Sequence, residues 1–524
     1  WSSPGYADLM VGTSADVAFA DAWLKGVRNF DVRAFYQSAL KDATVASPLA
    51  GTGRKGLQRA IFRGYTSTGV EEGLSWSMDG YINDFAIGNL AAALAQQTAT
   101  DDPYAVHYAD DAAYFRQRAL GYANLFDPAV GFFVGRDGAG DWHHDAPDFD
   151  PLRWGGDYTE TDAWNMAFHA PQDGAGLAAL YGGRAALAAK LDAFFATPGE
   201  FHVGSYGEPI HEMLEARDVR MGQYGHSNQP SHHIVYMYDF AGQPWKTQDK
   251  VRDVLSRLYV GSEIGQGYPG DEDNGEMSAW YLFSAAGFYP LRMGTPEYVI
   301  GAPYFPHMDI ALENGKHLVI EAPAVSDRNR YVQGLRVNGR PWQRLTLPHA
   351  LLAQGATLEF TMGPRPSRWA SDEDALPPSI TGEGLPQPLH DLVEKRLGRA
   401  RGIPVIPGLP LLFDNDSGTE VAWPAATATI DWYFGLPRRV TMLTLTSGST
   451  AATPSDWQLQ GSADGQHWST LDKRRDERFA WPQQTRAFAV REPGEYAYYR
   501  LQVDAAASNA RRALAEIELL GATL

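Results

Sequence analysis

The chain has 524 residues, which at about 100–200 residues per domain makes three to five compact units. Lys and Arg number 44 against 63 Asp and Glu, and the net charge of −19 excludes non-specific binding to nucleic acid or anionic membranes. With no Cys, disulfides, thiolate metal sites and cysteine nucleophiles are excluded, and oxygen ligands are the natural metal chemistry. No apolar run reaches the ~18 residues of a membrane span. Nothing ahead of Trp1 reads as a signal peptide, so the start was removed or the chain is a piece of a longer product.

Residues 1–300 carry apolar positions at helical spacing, as in Tyr81, Phe85, Gly88 and Ala92. Further helices are predicted over 162–170, 174–180, 184–195, 229–240, 247–258 and 277–288. Between them run Gly-, Asp- and Trp-rich loops such as 137–157, a pattern that suits a helical toroid with its site in the loops. A ring of twelve helices needs about 350–450 residues, so the toroid is expected to be incomplete at its N-terminus. Alternating strands follow at 317–322, 331–339 and 356–362, within a small β region over 301–365. Residues 366–402 read as a Pro- and acid-rich linker with one short helix in LHDLVEKRLGRA. Residues 403–524 repeat strands and turns in the manner of a β-sandwich.

Three segments carry candidate chemistry. In GYPGDEDNGEMSAWYLFSAAGFYP, Asp271, Glu272 and Asp273 precede an apolar helix. They either cap that helix or supply an ionised general base. In GGDYTETDAWNMAFHA, Glu160 lies among Tyr158, Trp164 and Trp154. Aromatic packing would suit it as a general acid, and the alternative is a solvated residue in a first helical turn capped by a neighbouring Thr. In PIHEMLEARDVRMGQYGHSNQPSHH, position 215 is Glu, so the H-E-x-x-H zinc motif is absent. Glu212 and Glu215 share a helix face at i, i+3 and suit Ca²⁺ better than Zn²⁺. His232 and His233 are either ligands or buried, hydrogen-bonded histidines. A carboxylic acid, a carboxylate base and a hard-cation site together form the set that glycoside hydrolysis needs.

The blocks GDEDNGEMSAWYLFSAAGFYPLRMGTPEYVIGAPYF, YTETDAW, PIHEMLEA and YGHSNQPSHHIVYMYDFAGQPWKTQ resemble, in content and order, glycoside hydrolase family 92. The likeness runs from residue 1 to about 365. It implies an inverting, calcium-dependent exo-α-mannosidase acting on terminal, chiefly α-1,2, mannosides of a glycan. It further implies an (α/α)6 catalytic toroid, Glu160 as acid, and Asp271 and Asp273 as base. His211, Trp164 and Asn228 become sugar contacts, and Glu212, Glu215 and Asp273 hold Ca²⁺ against the mannose O2 and O3. The sequence departs from the family at Asp162 and Asn165, which are expected to alter the leaving-group side or the surroundings of the metal. The family's N-terminal β-sandwich has no counterpart here, so a separate, bound N-terminal fragment is expected. A periplasmic or secreted location fits such a substrate. Residues 411–521 resemble discoidin-type modules, shared with carbohydrate-binding family 32. There Asp414 and Asp416 either bind a structural calcium or form an ordinary Asx turn. The alternative for the whole chain is a non-catalytic glycan-binding protein that uses this module.

Overall fold

The computed structural model describes residues 10–97, 101–259, 267–382, 384–393, 399–423, 427–449, 453–504 and 511–522. The N-terminal part is helical: α1 (Ala15–Leu24), α2 (Val32–Thr44), α3 (Leu57–Arg63), α4 (Gly73–Ala95), α5 (Tyr108–Arg118), α6 (Ala163–Met166), α7 (Gly174–Leu180), α8 (Arg184–Ala196), α9 (His211–Val219), α10 (Pro244–Leu258) and α11 (Glu276–Ala286). Helices α1, α2 and α5 pack on α4, α7 on α8, and α10 on α11. Helix α4 is buried around most of its circumference, so it carries no single apolar stripe. Its buried Asp84 is matched by Arg54 at 2.6 Å and Arg118 at 2.8 Å. Helix α10 instead starts at Pro244, where a missing N–H costs nothing, and buries one face through Val251, Val254 and Leu255.

Two predicted helices are shorter or tighter in the structure. Only Ala163–Met166 of the 162–170 segment is α-helical, because Pro171 disfavours the α conformation at the residue before it. The 229–240 segment forms 3-10 turns at Gln229–Ser231 and Ile234–Asp239. Every residue of Ile234–Asp239 is buried, so its spacing reflects burial on all sides and not one helix face.

From Phe288 onward the chain is mostly β. Phe288–Tyr289, Glu297–Ile300 and Thr346–Pro348 form a three-stranded sheet. A mixed five-stranded sheet runs in the order His307–Ala311, His317–Glu321, Ala356–Gly363, Tyr331–Val337, Arg340–Trp342. The segment read as a linker is mostly not one. Trp369, Ala370 and Ala375 are buried in the core of this β region, and the Thr381 amide and hydroxyl both donate to Asp173 beside α7.

The predicted C-terminal β-sandwich is present as two five-stranded antiparallel sheets around a core that includes Trp423, Trp432 and Trp457. It starts earlier than the sequence reading has it. His390–Asp391 pairs with Arg512–Gly521, and Arg399–Ile403 pairs with Ala428–Arg439. The described ends of the expected 389–400 helix are therefore strand, and residues 394–398 of it lie outside the described residues. Asp416 accepts from the Gly418 amide at 2.8 Å, which is an Asx turn, and also from Arg59 and Gln58 of the helical part. Among the described residues no helix is long and apolar enough to cross a membrane.

Candidate active site

A cleft of about 510 Å³ opens in the helical part, and its polar lining includes Glu160, Asn228, Gln229, His232 and Glu276. Three loops and the start of α9 gather further acids beside it; Glu160 is in its lining, and Glu212, Glu215, Asp271 and Asp273 are not.

The first loop carries Glu160 at φ 48°, a left-handed conformation that costs a non-glycine residue about 1–3 kcal/mol. Three contacts hold it there. The Thr159 amide donates to the Ser75 hydroxyl at 2.9 Å, and the Glu160 amide donates to the Tyr206 hydroxyl at 2.8 Å. Two residues on, Asp162 caps α6 by accepting from the Asn165 amide at 3.0 Å. Glu160 thus stands outside the helix and is not a first-turn residue.

The second loop carries Asn228 and Gln229. Asn228 Nδ2 donates to Glu160 Oε2 at 2.9 Å, and Gln229 Nε2 donates to Asp273 Oδ2. Two consecutive side chains therefore hold the candidate acid and a candidate base. The loop is itself held by Asn165, whose Oδ1 accepts from the Ser231 hydroxyl at 2.6 Å and whose Nδ2 donates to the Gln223 carbonyl at 3.1 Å. Asp162 and Asn165 are both buried and do not line the cleft, so these departures from the family pattern tie two loops together instead of meeting the leaving group.

The third loop divides its acids by role. Glu272 accepts from the Gly275 amide at 2.7 Å and from the Ser278 amide and hydroxyl at 3.1 and 2.7 Å. The Ser278 hydroxyl, followed by the two amides, holds its carboxyl below the usual range. Glu272 is the acidic cap of α11; Asp271 and Asp273 are exposed, and Asp273 meets the helix start only through its carbonyl, which accepts from the Glu276 amide at 3.2 Å. Asp273 and Asn274 adopt left-handed φ values of 57° and 56°. Gly270 brings this loop against α9, since a Cβ there would stand 3.0 Å from Glu215 Oε2 and 2.7 Å from the Ser227 carbonyl.

Helix α9 places Glu212 and Glu215 on one face, as their spacing predicts. The His211 imidazole lies between them, 3.0 Å from Glu212 and 3.2 Å from Glu215. Burial raises the Glu212 carboxyl above the ordinary value, and the charges of Glu160 and Asp271 add to it. Burial likewise raises Glu215, helped by Glu212 and Asp271 and opposed by His211. Partial burial pulls His211 down, but the hydrogen bond to Glu215 and the charges of Glu212, Glu215 and Asp271 outweigh it and leave it raised. Glu160, Glu212, Glu215 and Asp271 therefore share one electrostatic neighbourhood.

Trp164 does not join them. Its ring packs edge-on against Phe132 at 4.9 Å and tilted against Phe194 at 6.3 Å, with Lys190 over it. It is a core residue here, because the short helix α6 turns it away from the cleft-lining set. His232 and His233 follow the buried reading. His232 bridges Glu276 at 2.7 Å and the His226 carbonyl at 3.0 Å, and His233 meets the Phe168 carbonyl at 2.9 Å. Sequence reasoning missed Tyr206, Gln229 and Glu276. Gln229 and Glu276 lie inside the quoted motif blocks and Tyr206 just before one, but nothing in their spacing separates them from their neighbours.

Residues 1–364 match the model of the glycosyl hydrolase family 92 catalytic domain. The chain belongs to this family. Among solved structures, a family 92 inverting mannosidase of Bacteroides thetaiotaomicron is 35% identical, with a TM-score of 0.63 over 73% of this chain and 50% of that one. A family 92 α-mannosidase of the same organism, in complex with mannoimidazole, is 30% identical, with a TM-score of 0.63 over 72% of this chain and 46% of that one. A protein of Arthroderma benhamiae described as an uncharacterized secreted glycosidase is 26% identical over 71% of this chain and 48% of its own length. The chain thus spans about half the length of these family 92 relatives.

Proposed function

We propose that this family 92 chain carries the site of an exo-α-mannosidase that releases terminal, α-1,2-linked mannose from a glycan with inversion of configuration. The observation that carries the reading is the joint holding of Glu160 by Asn228 and of Asp273 by the adjacent Gln229. It is supported by the likeness to an inverting mannosidase and to an α-mannosidase crystallised with mannoimidazole. On this reading the helical part is the larger portion of an (α/α)6 toroid.

Glu160, protonated, gives its proton to the glycosidic oxygen as the C1–O bond breaks. Water attacks C1 from the opposite face and loses a proton to Asp273 or Asp271. An inverting pair of this kind stands about 6.5–9.5 Å apart, leaving room for that water. Asn228 fixes the Glu160 carboxyl through Oε2, and the left-handed backbone at residues 160 and 273 aims both side chains before substrate arrives.

All-oxygen donors suit Ca²⁺ by their chemistry. Glu215 Oε2 is buried with no hydrogen-bond partner, and burial, then like charges that include Asp271, raises the Glu212 and Glu215 carboxyls. Glu212, Glu215 and Asp273 are the residues that would hold the ion. When bound, it supplies positive charge that takes up sugar hydroxyl oxygens and relieves the crowding of carboxylates. We further read the C-terminal sandwich as a discoidin-like, glycan-binding module and the protein as secreted or periplasmic.

The function itself is tested by incubating the protein with α-1,2-mannobiose. Free mannose is expected in Ca²⁺, no release after chelation, and recovery on adding Ca²⁺. No release under any of these conditions would overturn the reading in favour of a non-catalytic glycan-binding protein.

A further inference from the structure

Outside the cleft, among the described residues, His143, His144 and Asp157 bring metal-type donor atoms within 4.8 Å of one another. They border a cavity of about 320 Å³ that Asp148, Asp150 and Arg153 also face. The local fold builds this group. A short hairpin, closed by the bridge between Arg136 and Trp142 and by the His143 amide donating to the Gly135 carbonyl at 2.9 Å, presents the two histidines. The Asp157 carboxylate lies flat over Gly135. A Cβ there would stand 2.5 Å from its Oδ2, so the floor of the site requires glycine. His143 Nδ1 is 2.9 Å from Asp157 Oδ2, and the two imidazoles stack at 4.4 Å with 19° between their planes.

A hydrogen-bonded His143–Asp157 pair would account for one imidazole and leave the second without a role. The side chain of Asp157 is 6% exposed, and that of His143 is 41% exposed. A buried carboxylate therefore sits beneath one exposed and one half-buried imidazole.

We propose that His143, His144 and Asp157 bind a borderline divalent transition ion of the Zn²⁺ class, at a site separate from the oxygen-rich cation site of the cleft. Donors at about 2.0–2.2 Å from Zn²⁺ lie about 3.4 Å apart in a tetrahedron, so closure asks for about an ångström of side-chain movement. Two imidazoles and one carboxylate disfavour Ca²⁺, which takes oxygen ligands. The three leave a fourth position for water. Asp157 lies three residues before Glu160 in the same loop, and its carbonyl accepts from the Ser75 amide at 3.2 Å. Occupancy therefore stiffens the segment that carries the acid.

The test uses untagged, chelator-stripped protein in saturating Ca²⁺. Zn²⁺ is titrated by calorimetry and Co²⁺ by visible absorption. One site per chain is expected, with intense tetrahedral Co²⁺ bands and a rise in melting temperature on adding Zn²⁺. His144→Ala should weaken binding at least tenfold, and the His143→Ala/His144→Ala double variant should lose both the bands and the thermal shift. Asp157→Asn is set aside because its carboxylate is buried, and the two histidine variants keep the test decisive. No Zn²⁺ binding by the wild type, or unchanged binding by a folded double variant, overturns the proposal.

Discussion

Several carboxylates of the C-terminal sandwich and those beside the cleft are the same groups in different company. In the sandwich, and where it meets the helical part, Asp431, Asp472, Asp110 and Glu477 face guanidinium groups, whereas burial and the charges of Glu518, Asp391 and Asp414 raise Glu516 to about 10. Asp431 takes Arg500 at 2.7 and 2.9 Å, Asp472 and Asp110 take Arg474 at 2.9 and 2.7 Å, and Glu477 takes Arg486 at 3.0 Å. In and beside the cleft, among the described residues, Glu160, Glu212, Glu215, Asp271 and Asp273 form no ion pair with Lys or Arg. Their neighbours are His211, Asn228, Gln229 and one another. Paired carboxylates hold a scaffold together. A gathered, unmatched set weakens the fold by like-charge repulsion, and such perturbed groups cluster where chemistry is done.

The sharpest way to break this contrast is to remove one charge from the cleft. Glu160→Gln should lower kcat/KM on α-1,2-mannobiose by about 10²–10⁴-fold, and much less on an aryl mannoside whose leaving group needs no proton. Asp273→Asn should cost about 10²–10⁴-fold on both substrates, because a base is needed whatever leaves. Equal, small losses for Glu160→Gln on the two substrates would remove it from the acid role. Chelation comes next and is reversible: activity should vanish and return with Ca²⁺, while circular dichroism of the sandwich stays unchanged.

Smaller effects separate core from site. Trp164→Ala should destabilise the helical part by about 2–3 kcal/mol, below the ~3–5 kcal/mol of a fully buried Trp, and leave KM at its wild-type value. A raised KM with unchanged stability would return Trp164 to the cleft. A further effect, on stability alone, lies at the contact between the two regions. Burial, then the charges of Arg486 and Arg474, lowers His107 from 6.5 to about 3, with Glu477 3.8 Å away. Between these values the unfolded chain binds a proton that the native chain does not, so stability falls as pH drops from about 6.5 towards 3. In urea melts from pH 7 to pH 4, His107→Gln should flatten that fall by one proton's worth. An unchanged slope would contradict the assignment.

The contrast also explains what the sequence made legible. Strands such as His317–Glu321 alternate buried and more exposed positions, and α10 keeps one buried face, so a single period announces each. Residues Ile234–Asp239 are enclosed on all sides and give no such signal. In LHDLVEKRLGRA, residues at both ends are drawn into strands by pairing with distant residues, Leu520 and Gly521 at one end and Trp432 and Tyr433 at the other, which no local reading contains. Within the site, Glu160, Asp271, Asp273, Glu212 and Glu215 stand out because acids in Gly-flanked loops and on one helix face are unusual. Gln229 and Tyr206 matter only through what they touch, and the family resemblance marks Trp164 as a sugar contact although its ring packs against Phe132.

The central claim is that Glu160 and the Asp271/Asp273 loop act as a separated acid and base. It is tested most directly by following the hydrolysis of α-1,2-mannobiose in Ca²⁺ by proton NMR from the first turnover. The account predicts β-mannose as the first-formed anomer, turning to the equilibrium mixture only by mutarotation. First-formed α-mannose would show retention and would contradict it.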